Sequence, residues 1–146
     1  MKLVYLKRPE DFNPKMEVVS CFIELNGKIL LLHRQDHKPQ GGTWGRPSGK
    51  IDAGENCNLA MERELFEEVG LSVEKTDLKY HYRLFVRYPN FDFIYHIFSL
   101  TIRRKFNIIL SSNEHKNWKW VKPDEALKYN LIPGEDECIK LFYKLK

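Results

Sequence analysis

GKIDAGENCNLAMERELFEEVGL, Gly49 to Leu71, is the stretch on which the reading of this chain turns. From Glu55 to Val69 it holds neither glycine nor proline and is rich in Leu, Met, Ala and Glu, so it reads as a helix. Asn56 is placed to cap its start, and Gly70 to end it in the left-handed conformation. Glu64, Glu67 and Glu68 stand at i, i+3 and i+4, within about one third of the circumference. Like charges so placed repel by about 0.2–0.5 kcal/mol per pair, and a divalent cation removes that penalty. Taken alone, such a run is more simply a solvated acidic face. Leu59, Met61, Leu65, Phe66 and Val69 on the other side are expected to pack on a sheet, with Glu62 at the margin. Arg63 lies four residues before Glu67 and next to Glu64, where it can hold a carboxylate in place.

Upstream, Val18–Leu25 and Lys28–Arg34 read as strands joined by the hairpin signal Asn26-Gly27. Gln35–Asp52 carries too many glycines and prolines for regular structure and is expected to be a loop. Downstream, Lys79–Arg87 and Phe91–Arg104 are β-prone, and Trp118–Val121 is a short strand. Pro123–Lys128 and Gly134–Tyr143 are helices. Strands on both sides of a helix, with helices at the end, predict an α/β domain whose sheet is partly antiparallel. Residues 1–16 are the least legible, an edge strand or a dimer contact.

The length of 146 residues, 42% apolar and 30% charged, suits one folded domain spanning 1–146 and excludes a disordered chain. No apolar run is long enough to span a bilayer, and the N-terminus lacks the apolar core of a signal peptide. Cys21, Cys57 and Cys138 are odd in number and show no metal-binding spacing, so free thiols in a cytoplasmic protein are expected. A net charge of +4 suits an anionic small molecule without calling for nucleic acid or a membrane. Arg103, Arg104 and Lys105 are expected to be a solvated strand end.

The spacing of Gly49, Glu55, Arg63, Glu64, Leu65, Glu67, Glu68, Gly70 and Leu71 is similar to the Nudix box, G-x5-E-x7-R-E-U-x-E-E-x-G-U with U aliphatic. All nine specified positions match; chance would give this on the order of 10⁻⁷ of the time, so accident is set aside. The resemblance implies an α/β/α sandwich with a mixed sheet and a loop–helix–loop that binds metal. It implies that Glu64, Glu67 and Glu68 are metal ligands, with the carbonyl of Ser48 beside them. Arg63 would orient the carboxylates, and Glu55 would steady the loop or reach an outer metal. Mg²⁺ is the expected ion and Mn²⁺ the alternative. Most relatives have Gly-Gly where this chain has Ser48-Gly49, which leaves the carbonyl but adds a Cβ to the loop.

Beyond the box the chain resembles MutT-type nucleoside triphosphate pyrophosphohydrolases. NGKILLLHRQ and TWGRPSGK put Arg34 and Lys50 where those enzymes approach phosphates. Arg46 stands where relatives usually have an apolar residue, either a specificity feature or a packing replacement. NEHKNWKW places Glu114 six residues before Trp120, a further metal ligand or general base by the resemblance; His115 could serve a similar role but reads more simply as a plain loop histidine. Glu135 or Asp136, after Pro133-Gly134, falls where MutT-type enzymes read the base, and would accept from an exocyclic amine. The implied reaction is hydrolysis of a phosphoanhydride, a triphosphate giving monophosphate and pyrophosphate, with Glu64 or Glu114 as the base. Nucleotide sugars, dinucleoside polyphosphates or capped RNA are the alternatives within the family, and a non-catalytic nucleotide sensor the alternative outside catalysis. The isomerases of this fold need a cysteine in the loop before the box, and none lies between Cys21 and Cys57. The preferred base, physiological role and oligomeric state are left open.

Overall fold

The structure is a computed structural model that describes residues 1–73 and 77–146. Its elements run β1 (Val4–Tyr5), β2 (Pro14–Leu25), β3 (Lys28–Arg34), β4 (Trp44–Gly45), β5 (Ser48–Lys50) and α1 (Cys57–Val69). Then follow β6 (Lys79–Arg87), β7 (Asp92–Ile102), β8 (His115–Val121), α2 (Pro123–Ala126) and α3 (Glu135–Tyr143). The sheet is mixed: β2 and β7 pair in parallel, while the other pairings are antiparallel. Asn26 and Gly27 both take positive φ, 50° and 79°, which is how a two-residue turn matches the twist of β2 and β3.

Side chains alternate along the strands and so build two apolar layers. Val19, Cys21 and Ile23 of β2 join Leu30 and Leu32 of β3 against Ala60, Met61, Leu65 and Val69 of α1. Phe22, Ile29 and Leu31 face the other way, toward Ala126, Cys138 and Ile139. This is an α/β/α arrangement. Cys21 and Cys138 are buried in opposite layers, and all three thiols are free.

Several boundaries differ from the sequence reading for identifiable reasons. The helix starts at Cys57, not Glu55, because Glu55 closes a turn onto Asp52: its N–H donates to the Asp52 carbonyl and its carboxylate accepts from the Asp52 N–H. Asn56 does cap α1, accepting from the Leu59 N–H at 2.9 Å, and Gly70 ends it at φ 74°. Leu59 and Phe66 do not pack on the sheet; they are 44% and 61% exposed, since they lie almost opposite Met61 around the helix. The N-terminal residues supply an edge strand, β1 on β6, and β2 begins at Pro14.

The segment 35–52, expected to be loop, contains two short strands. β4 pairs with β3 and β5 pairs with β2, so the chain crosses between diverging strands at Arg46-Pro47. That crossing opens the cleft in which the site lies.

Candidate active site

Rotation around α1 grades its three glutamates by burial. Glu68 lies toward Met61 and is 4% exposed; Glu64 is half-buried; Glu67 points outward, with its side chain 54% exposed. Arg63 gathers the outer part of the group. Its Nε donates to Glu55 at 2.7 Å, its Nη1 to Glu64 at 2.8 Å and to Glu67 at 3.1 Å, and its Nη2 to the Lys50 carbonyl at 2.9 Å. One guanidinium thereby ties the helix to both ends of the box loop, which a single point charge cannot do. Gly49 is required because a Cβ there would overlap the Glu64 carboxylate.

Arg63 does not reach Glu68. That carboxylate accepts one hydrogen bond, 2.7 Å from the Ser48 N–H, so Ser48 meets the acidic wall through its backbone. Burial, then the nearby charge of Glu64, pushes Glu68 well above the usual carboxylate range. Burial likewise raises Glu64 to about 7, with Arg63 pulling the other way. Glu114 comes in from the residue before β8, and single ligand atoms of Glu68, Glu114 and His115 lie within 4.8 Å of one another. Burial lowers His115 to about 4.

A group of desolvated carboxylates without enough cations around it is unfavourable as it stands. A divalent ion fits: the donors are hard oxygens plus one imidazole, held on a helix and a strand end. Glu64, Glu68 and Glu114 line a cavity of about 740 Å³ with Gly49, Lys50 and Arg34. Arg34 gives its Nε to the Pro39 carbonyl at 2.7 Å, which fixes the side chain.

The far arm of the same cavity is apolar and aromatic, lined by Tyr88, Phe91, Phe93 and Tyr95 with Ile132 and Pro133. Tyr88 and Phe91 flank the turn between β6 and β7, and Phe93 and Tyr95 follow on β7. The pairing of aromatics across a tight turn was the available signal. Trp44 is a packing residue, stacked on His33 at 4.2 Å and edge-on to Tyr129.

Arg46, read as a specificity feature or a packing replacement, and Glu135, expected at the base, meet one another beside the cavity. They are 3% and 1% exposed, and the pair is bidentate: Nε to Oε2 at 2.5 Å and Nη2 to Oε1 at 3.0 Å. Arg46 also donates to Ser20 at 3.1 Å and lies over the Phe22 ring at 3.9 Å. The pair underlies the apolar arm with little of either side chain open to it.

Comparison with known proteins agrees with this geometry. Residues 14–142 match the family described as NUDIX domain. The CTP pyrophosphohydrolase of Escherichia coli (strain K12) is 31% identical over 131 residues, covering 90% of this chain and 93% of that protein. A MutT-like protein of Streptomyces ambofaciens is 28% identical over 130 residues, covering 85% of this chain and 77% of the relative. The solution structure of the E. coli ORF135 protein superposes with a TM-score of 0.72 at 28% identity, over 88% of this chain and 89% of that one. No helix among the described residues is long and apolar enough to cross a membrane.

Proposed function

The chain belongs to the Nudix family of nucleotide phosphoanhydride hydrolases, and from that premise we propose that it converts a nucleoside triphosphate to the monophosphate and pyrophosphate. The observation that carries the reading is one cavity with two unlike arms. One arm ends in the clustered carboxylates Glu64, Glu68 and Glu114, of which only Glu64 meets an arginine; the other is walled by aromatic rings. The first suits a metal-bound polyphosphate, the second a nucleobase.

A divalent ion, Mg²⁺ or Mn²⁺, held by Glu64, Glu67, Glu68, Glu114 and the Ser48 carbonyl, would neutralise phosphate oxygens and acidify a water. Arg63 holds Glu64 and Glu67 in register, and Glu55 anchors Arg63 through two hydrogen bonds. Arg34 and Lys50 face the polyphosphate from the cavity wall. Glu64 and Glu114 both line the cavity, and either carboxylate could take the proton from the attacking water. Arg46 and Glu135 support the floor of the base arm and fix its shape. CTP is the first substrate to try, because the relative that shares 31% of its residues over nearly its whole length is a CTP pyrophosphohydrolase.

The test is hydrolysis of a panel of triphosphates, nucleotide sugars and dinucleoside polyphosphates, with products separated by ion exchange. Release of pyrophosphate and a monophosphate from a triphosphate, abolished by chelator, supports the reading. Preferential cleavage of a sugar nucleotide or dinucleotide would replace the substrate while keeping the chemistry.

A further inference from the structure

The acidic wall contains one side chain for which the hydrolysis has no assigned use. His115 opens β8 with its side chain only 8% exposed. Its Nδ1 is buried without a hydrogen-bond partner and stands 3.9 Å from Oε2 of Glu68. Glu114 stands in the turn before β8 and His115 is the first residue of the strand, so that turn sets the two side by side, and a bulge just after it sets the face on which His115 lies. β8 follows β3 in register until His33 pairs with Asn117, then slips so that Arg34 pairs with His115 and Lys116 is passed over. The slip is fixed from behind, because the N–H groups of Glu114 and His115 both donate to the Ser111 carbonyl. Lys116, thrown outward, reaches Asp36 at 2.9 Å. Bulges of this kind re-aim a side chain at a site. Here the re-aimed side chain is an imidazole, and its unpartnered nitrogen lies among carboxylate oxygens.

We propose that His115 is a nitrogen ligand of the divalent ion bound at Glu68 and Glu114, and that it biases this site toward a first-row transition ion over Mg²⁺. The inference rests on the metal-dependent reading above. Ligands about 2.1 Å from an octahedral ion lie about 3.0 Å apart when adjacent and about 4.2 Å when opposite. The 3.9 Å between Nδ1 and Oε2 falls in that interval. Mg²⁺ favours an all-oxygen shell that keeps several waters, whereas imidazole suits the first-row ions. One nitrogen among oxygens thus tilts the choice without excluding Mg²⁺.

Mn²⁺ is the probe, added at one equivalent to the full chain and read by pulsed electron paramagnetic resonance. The expected spectrum carries ¹⁴N modulation from a coordinated imidazole, and His115→Gln removes it. Competition between Mn²⁺ and Mg²⁺ should show the preference for Mn²⁺ falling about 10-fold or more in that variant. If the variant does not fold, the wild-type spectrum still decides, because nitrogen coordination needs no variant to be seen. Mn²⁺ bound without ¹⁴N modulation, or modulation that survives His115→Gln, overturns this inference and leaves the hydrolase reading intact. Failure of the wild type to bind Mn²⁺ or Mg²⁺ would overturn both.

Discussion

Two buried carboxylates in this molecule have opposite fates. Glu135 at the start of α3 is 1% exposed and lies against Arg46, which gives it two hydrogen bonds. Glu68 in the last turn of α1 is 4% exposed and receives one hydrogen bond from the Ser48 N–H, with the carboxylates of Glu64 and Glu114 nearby. The protein brought its own cation to the first and left the second short of one. Burial alone therefore does not mark a functional acid; burial without compensation does.

The largest expected effect comes from breaking the compensated pair. Glu135→Gln leaves a buried guanidinium without its charge partner and should cost about 3–5 kcal/mol in denaturant unfolding. Replacing both partners by apolar residues, Arg46→Met with Glu135→Leu, should recover most of that loss. If the single change proves harmless, the pair is not the closed unit described here. Glu68→Gln should act in the reverse sense. It keeps an acceptor for the Ser48 N–H and removes an unfavourable charge, so the metal-free protein near pH 8 should gain on the order of 1 kcal/mol. The same change should lower kcat/KM about 100-fold or more.

A pH series sharpens the contrast. Glu64 is raised in the folded chain from 4.5 to about 7, and Glu68 is raised as well, in both cases chiefly by burial. Between those two values these carboxylates hold more protons in the folded chain than in the unfolded one, while His115, lowered from 6.5 to about 4, holds fewer. In the metal-free His115→Gln variant, which lacks that opposing contribution, the melting temperature should therefore fall as pH rises from about 4.5 to 7. Saturating Mg²⁺ or Mn²⁺ should flatten or reverse that slope, since a cation stabilises the ionised forms. A metal-free His115→Gln protein that becomes more stable over the interval would contradict the assignment of the uncompensated charge to these carboxylates.

Arg63 gives an intermediate case, because it compensates Glu55, Glu64 and Glu67 but not Glu68. Arg63→Lys keeps the charge and loses the fork, and is expected to reduce metal affinity about 10-fold in a calorimetric titration. The smallest effect is expected at Leu59 and Phe66. Both are apolar and exposed on the outer side of α1, and changing either to Ser should shift stability by no more than about 0.5 kcal/mol.

The sequence carried the box, and with it the helix, both caps and the acidic group, because those features are local: each spacing is a rotation about one helix axis. What it carried less well depends on distant pairing. Arg46 and Glu135 are 89 residues apart, and neither alone discloses the other as its partner; only the fold brings them together. His115 read as a loop histidine because a bulge cannot be seen in residue types. The short strands β4 and β5 were hidden for a similar reason, since the glycines and prolines around them obscure pairing with β3 and β2. The exposed face of α1 was misread because apolar residues were counted without the angle that separates Leu59 and Phe66 from Met61.

The most direct test of the account is turnover of CTP by wild type and Glu68→Gln, with Mg²⁺ or Mn²⁺ and with chelator. The wild type should release CMP and pyrophosphate only when metal is present, and the variant should lose about 100-fold or more while remaining folded. Turnover that continues in chelator, or a Glu68→Gln protein as active as the wild type, would contradict it.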